Sequence, residues 1–317
     1  MDEMRIGIGL AAVARPAYIT AGRDRDLGEH REVADLEQRT WAVLDAAVAA
    51  GVRYVDVARS YGRAEEFLAS WLRSRPDAEV QVGSKWGYRY VGGWRRDAAT
   101  HEVKDHSLTA FLRQRDETHA LLGDRLTVYH VHSATPETGV LDDAPLHAAL
   151  AGLRDRGIAV GVSTSGPSQA EVVRRALEVR VDGAPLFTSV QATWNVLETS
   201  AGPALAEAAD AGARVLVKEP LANGRLAPGG ADQAPGSRRV HALAAQLGVG
   251  SDTLSLAAAL EQPWTGCVLS GAVTPEQVLS NVEATGLELP AGALAELAGL
   301  AEEPQEYWAA RSRLAWS

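Results

Sequence analysis

Leu126-Thr-Val-Tyr-His-Val131, then Ala144 to Arg154 with helical spacing, then Gly157 and Ile158-Ala-Val-Gly-Val162: this run decides the fold. The first and last pieces are short apolar stretches of strand length. The middle piece repeats its apolar residues at helical spacing and stops at a glycine. Strand, helix, strand is the unit of a parallel sheet.

The same alternation extends both ways from this unit. Toward the N-terminus it predicts a strand at Ile6 to Val13, a helix at Leu36 to Ala50, a strand at Arg53 to Val57, a helix at Ala64 to Leu72, a strand at Val80 to Ser84 and a helix at Leu108 to Leu122. Toward the C-terminus it predicts a helix at Gln169 to Leu177 and strands at Leu186 to Gln191, Ala213 to Val217 and Gly266 to Leu269. Helices are expected at Ala204 to Ala211, around Val240 to Leu247, at Asp252 to Leu260 and at Pro275 to Ala284. Eight strand–helix units in one chain predict an α/β fold, a (β/α)8 TIM barrel, rather than an open doubly wound sheet. The strands are continuously apolar, as they must be when both faces are covered. Residues 1–317 therefore form one domain, with 222–237 a long Gly/Pro/Ala-rich loop after the seventh strand and 302–317 a C-terminal tail.

Bulk properties narrow the function. The 317 residues carry a formal charge of −10, which disfavours a nucleic-acid partner, since phosphate backbones are repelled. The densest basic stretch, Arg73 to Arg75, closes a helix and complements its dipole. The apolar runs are shorter than the ~18 residues that span a bilayer, and no charged-then-apolar leader opens the sequence. The expectation is no membrane partner and a cytoplasmic location, in keeping with the single cysteine, Cys267.

In such barrels the chemistry lies at the C-terminal ends of the strands. Strand two ends at Asp56 and runs on to Tyr61, strand three ends at Lys85, and strand four ends at His130-Val-His132. A tyrosine titrates near ~10, so a nearby ammonium is needed to bring it toward working pH, and a carboxylate holds that ammonium in place. Tyr61, Lys85 and Asp56 supply these groups, and a histidine there can orient a substrate oxygen. His130 and His132 point to the same side of their strand, so spacing does not choose between them.

Seven segments in order resemble the aldo-keto reductase family: Gly51 to Gly62, Lys85, Tyr129 to Ser133, Gly161-Val-Ser163, Val190-Gln191 with Trp194-Asn195, Pro220 to Gly224, and Gly271-Ala272 with Pro275, Gln277 and Asn281. The resemblance covers nearly the whole chain and selects His132. It implies an NAD(P)H-dependent oxidoreductase acting on a carbonyl or alcohol. In that reading Tyr61 is the acid in reduction and the base in oxidation, Lys85 and Asp56 tune it, and His132 positions the carbonyl. Ser163 and Gln191 hold the nicotinamide carboxamide. Leu221 to Arg225, with Gly224, closes over the pyrophosphate. Ser270, Gly271, Ala272, Gln277 and Asn281 surround the adenosine half.

Departures from the family pattern bear on the cofactor. Thr164 stands where the family has Asn, and Lys218-Glu219 replaces an aromatic that covers the nicotinamide, leaving the stem of Lys218 or Trp194 to do so. The resemblance implies NADPH. Yet Thr265 to Leu287, including Val273 and Gln277, contains no Lys or Arg to hold a 2′-phosphate, so NADH is the alternative.

The segment after Lys85 is rich in aromatics. Trp86, Tyr88 and Trp94 are expected to wall a pocket for a ring-bearing or sugar-like carbonyl. His101 to His106 matches no strong metal-ligand spacing, and no metal is expected. The tail, Tyr307-Trp308 to Trp316, is expected either over the mouth or against the side of the barrel. The competing readings are a cofactor-sensing regulatory subunit on the same fold and a barrel lyase. All four catalytic residue types favour the enzyme over the first, and the lack of a metal cluster or basic phosphate cup disfavours the second.

Overall fold

A computed structural model describes residues 5–230 and 232–316. Eight parallel strands close into a barrel: β1 (Ile6–Gly9), β2 (Tyr54–Asp56), β3 (Gln81–Trp86), β4 (Leu126–Ala134), β5 (Ala159–Thr164), β6 (Ser189–Thr193), β7 (Arg214–Lys218) and β8 (Cys267–Ser270). Each strand pairs with its neighbours in sequence. β1 completes the ring through Gly9↔Asp56 on β2 and Gly7↔Leu269 on β8.

Helices form the outer layer. Val33–Ala49 follows β1, and Ala64–Ser74, Leu108–Leu122, Ala144–Arg154, Gln169–Glu178 and Gly202–Asp210 follow the next strands. Local chemistry starts several of them. The Ser107 hydroxyl accepts the Ala110 N–H at 3.1 Å, and the Asp143 carboxylate accepts the Leu146 N–H at 3.0 Å. Helix Ser251–Leu260 is buried along its whole length.

Pleating sends alternate residues inward. The inner set includes Tyr54, Val128, His130, Ser189, Leu216, Cys267 and Leu269, and two strand glycines clear the space for it. A Cβ on Gly83 would lie 2.0 Å from the Tyr54 hydroxyl, and one on Gly161 would lie 2.2 Å from the His130 ring. His130, fully buried, meets the Ser189 hydroxyl at 3.0 Å, so it is a histidine of the barrel interior.

The expected strand–helix alternation is present, with shifted ends. β1 stops at Gly9, and the chain from Leu10 onward crosses the barrel mouth, where the sequence predicted strand as far as Val13. The aromatic segment contains an antiparallel hairpin, Tyr88–Tyr90 with Glu102–Lys104. Of the expected loop 222–237, Ala222–Gly224 is a 3-10 turn and a helix begins at Pro235; Ala231 lies outside the described residues. The tail carries helix Pro304–Ser312, and Ser317 lies outside the described residues. Among the described residues, no single helix is long and apolar enough to cross a membrane.

Because the His130 ring occupies the space beside Gly161, Gly161→Ala is expected to lower unfolding free energy by about 1–3 kcal/mol. Urea unfolding measures this, and an unchanged midpoint would show that the interior is looser than described.

Candidate active site

Pleating and register bring the site residues together. Asp56 on β2 and Lys85 on β3 both point inward at the C-terminal rim. The Lys85 amine forms an ion pair with the Asp56 carboxylate and donates to the Val57 carbonyl at 2.9 Å. The other Asp56 oxygen accepts from the Gln191 amide at 2.8 Å. Tyr61 arrives on the turn after β2, with its ring centroid 4.9 Å from the Lys85 amine. The His132 ring stands edge-on to it at 5.4 Å. His132 Nδ1 meets the Ser60 hydroxyl at 3.5 Å, which leaves Nε2 for a ligand oxygen.

Burial governs the protonation of these groups. It pushes the Tyr61 phenol well above the ordinary tyrosine range, aided by the Asp56 carboxylate and opposed by Arg15. This corrects the expectation of a phenol lowered by Lys85: low dielectric, with the Asp56 charge, outweighs the pull of Arg15. Burial also lowers Lys85 against the pull of Asp56. It drives His132 far below its usual value, helped by Lys85 and Arg15, so His132 is a neutral hydrogen-bonding group.

These residues line one end of a cleft of about 650 Å³ that continues past Lys218, Leu221 and Gly224 to Gly271, Gln277 and Asn281. Two segments beside the cleft are joined. Ala21 N–H donates to the Asn223 carbonyl at 2.9 Å, and the Asn223 amide donates to the Ile19 carbonyl at 3.1 Å. Gly224 makes this approach possible: its φ is +90°, and a Cβ there would lie 2.3 Å from the Ala21 carbonyl.

At the far end Ser270 donates to Asn281 at 2.6 Å, and Asn281 donates to Asp252 at 2.8 Å. Gln277 accepts the Val273 N–H and donates to Asp26, each at 2.8 Å. Ala272 and Val273 complete this wall. An elongated cleft with paired loops beside its middle suits a dinucleotide. Two buried oxygens of its lining residues, Asn223 Oδ1 and Asp252 Oδ1, have no hydrogen-bond partner among the described residues, as acceptors for ligand N–H or O–H groups would.

Several expected site residues lie elsewhere. Because Lys85 points inward, Trp86 points outward and packs on Phe111 at 5.0 Å. Trp194 is likewise outward of Thr193 and packs on Trp264. Trp94 packs on Phe67 and donates to the Arg31 carbonyl. Of the four aromatics expected in the pocket, Tyr88 alone lines the cleft, 4.9 Å from His132. Arg225 is turned away by ion pairs with Asp232 and Glu302. Ser163 is buried behind the wall, where it accepts the N–H of Ser133, a residue at φ +53° in an irregularity of β4; Ser165 lines the cleft instead.

Other residues form the mouth. Arg15 and Tyr18 come from the loop after β1, and Glu102 comes from the hairpin. Arg311 comes from the tail helix and grips Glu219, which the Arg311 fork and Lys218 hold at a pKa of about 2 despite burial. Lys218 donates to Thr193 at 2.6 Å, and burial lowers its pKa to about 8. The tail divides between the two expected places: Tyr307 and Trp308 are buried against the side, while Trp316 lines the mouth and stacks on His101 at 4.3 Å. The rule that active sites lie on the loops after strands applies to β1 as well, and Arg15-Pro16 after an apolar run was the available signal for that loop.

A closed barrel with a buried lysine–aspartate pair and a tyrosine at the rim of a dinucleotide-sized cleft defines an NAD(P)-dependent oxidoreductase. The chain belongs to the aldo/keto reductase family, whose family model matches residues 27–302. It is 27% identical over 296 residues to a D-threo-aldose 1-dehydrogenase from Pseudomonas sp, covering 83% of this chain and 88% of that protein. In fold it is similar to an aldo-keto reductase from Bacillus halodurans in its holo form, with a TM-score of 0.69, 18% identity, and 94% of this chain and 92% of that one covered. It is also similar to a glycerol dehydrogenase from Gluconobacter oxydans, with a TM-score of 0.68, 21% identity, and 93% and 90% covered.

Asp56→Asn leaves a buried ammonium without its counter-charge and is expected to cost about 3–5 kcal/mol of unfolding free energy. Denaturant unfolding at neutral pH checks this, and a loss under about 1 kcal/mol would contradict the pairing.

Proposed function

We propose that the protein interconverts a polyhydroxylated carbonyl compound, an aldose or its cyclic hemiacetal, with its oxidation or reduction partner, using Tyr61 as acid and base. The observation that carries this reading is the Tyr61 ring against the Lys85–Asp56 pair, with His132 at its edge, in one cleft. The bound nicotinamide supplies or accepts the hydride.

The chain's residues handle the proton and the orientation. His132 Nε2 and the Tyr61 hydroxyl converge on the substrate oxygen. In reduction Tyr61 gives that oxygen its proton, and Lys85 offsets the charge left on the phenol. In oxidation the phenolate removes the hydroxyl proton. A phenol with a raised pKa is protonated at neutral pH, ready as an acid, so oxidation gains as pH rises toward that pKa.

The substrate class follows from the mouth. The rings of Tyr18, Tyr88 and Trp316 share the mouth with the charge pairs Arg15–Glu102 and Arg311–Glu219. Aromatic faces cover the C–H side of a sugar ring and charged groups bond its hydroxyls. The aldose dehydrogenase relative supports the same class.

At the adenosine end we assign Ser270, Gly271, Ala272, Gln277 and Asn281 to the cofactor, with Leu221 and Gly224 at the pyrophosphate and Gln191 and Lys218 near the nicotinamide. Asp26, Asp252 and Glu276 line this end against Arg25, which is itself paired with Asp26. That balance favours NADH over NADPH.

Tyr61→Phe is expected to lower turnover of an aldose panel about 10²–10⁴-fold with cofactor affinity retained. In the parent, oxidation kcat/KM is expected to climb about tenfold per pH unit above neutrality. A phenylalanine variant turning over at the parent rate would overturn the reading. Val273→Arg is expected to tighten NADPH about tenfold with little change in NADH, measured by fluorescence titration; equal effects on both would contradict the cofactor assignment.

A further inference from the structure

We propose that Arg15 is a positioning residue for the reaction: a second fixed cation, held by Glu102, that stabilises the Tyr61 phenolate alongside Lys85. The inference rests on the reading of Tyr61 as the acid and base. The Arg15 guanidinium carbon lies 4.9 Å from the Tyr61 ring centroid, as the Lys85 amine does. The same guanidinium lies 4.4 Å from the Tyr18 ring and 5.1 Å from the Trp316 ring. Three aromatic rings and two cations thus form one assembly at the rim. With its side chain 1% exposed, Arg15 acts through little water, where a charge is weakly screened.

The placement is built. Arg15 Nε donates to the Ala11 carbonyl at 2.8 Å, and one terminal nitrogen binds the Glu102 carboxylate at 2.6 Å. The loop that carries it is fixed by two further arginines. Arg23 donates to the carbonyls of Ala12, Arg15 and Pro16, and Arg31 donates to that of Pro16. A largely apolar, buried loop is thus fixed where its guanidinium meets the Tyr61 ring.

The charge logic has a definite sign. A cation near an aromatic ring is attracted weakly to a neutral phenol and strongly to a phenolate, so it favours ionisation. The groups around Tyr61 are Asp56 and Lys85 from β2 and β3, His132 from β4, Tyr18 and Arg15 from the first loop, and Glu102 from the hairpin. Asp56, Tyr18 and Glu102 oppose ionisation, and Arg15 favours it. His132 is neutral. Glu102 therefore has two effects: it anchors Arg15, and it offsets part of its charge.

Removing the Arg15 charge should then raise the phenol. The test incorporates a trifluorinated tyrosine, more acidic than tyrosine, at position 61 and follows its titration by fluorine NMR without cofactor or substrate. Arg15→Met is expected to raise the titration midpoint by about one pH unit and Arg15→Lys to restore most of it. The oxidation pH profile of the unlabelled Arg15→Met enzyme should move the same way, losing about tenfold near neutrality and recovering at alkaline pH. A midpoint unmoved or lowered in Arg15→Met overturns the proposal. If Arg15→Met does not fold, as judged by its unfolding transition, Arg15→Gln decides in its place: a raised midpoint supports the proposal and an unmoved or lowered one overturns it. Failure of the Tyr61 reading is distinct, because Tyr61→Phe would then turn over normally whatever the midpoints do.

Discussion

A lysine ammonium and an aspartate carboxylate, no more than 4% exposed, touch at the rim of β3 and β2, and the rest of the site is arranged around them. Burying two charges costs several kcal/mol each, and contact alone seldom offsets it. Here the surplus hydrogen-bonding capacity is taken up by the Val57 carbonyl and the Gln191 amide. That requires β2, β3 and β6 to end at matched heights, which is a property of the closed barrel rather than of any one strand. Tyr61 rests against the pair with its phenol protonated at neutral pH, and neutral His132 stands beside it. A protonated phenol and a neutral imidazole thus stand edge-on at 5.4 Å in the wall of one cleft.

Much of this arrangement was legible in the sequence. Strand periods placed Asp56 and Lys85 at adjacent strand ends, and the turn Ala58 to Gly62 brought Tyr61 over them. Two points lay beyond strand spacing: the family resemblance chose His132 over His130, and the structure supplies the reason. His130 and His132 share a side of β4, and only depth separates them: His130 faces Ser189 inside the barrel while His132 reaches the cleft. The protonation of Tyr61 also depended on depth, since burial outweighs the pull of Arg15.

The less legible parts have a common physical origin. Composition revealed an aromatic segment but not which way each ring points. Period-two alternation turns Trp86 and Trp194 outward once Lys85 and Thr193 point inward, and Trp94 is taken by Phe67 and the Arg31 carbonyl. The mouth is instead assembled from segments far apart in sequence, Arg15 and Tyr18 near one end and Arg311 and Trp316 near the other. Such pairings are long-range ion pairs and ring contacts, and no local pattern announces them. Arg225 shows the converse: a residue at a matching motif position whose charge is consumed by Asp232 and Glu302.

The central claim is that the cleft delivers hydride to a carbon whose oxygen receives its proton from Tyr61. Following deuterium from NADH labelled at the nicotinamide C4 during reduction of an aldose tests it most directly. The expected result is the label on the carbinol carbon of the product, with its transfer slowed in Tyr61→Phe. Tight binding of the labelled cofactor with no transfer of deuterium to carbon would contradict it.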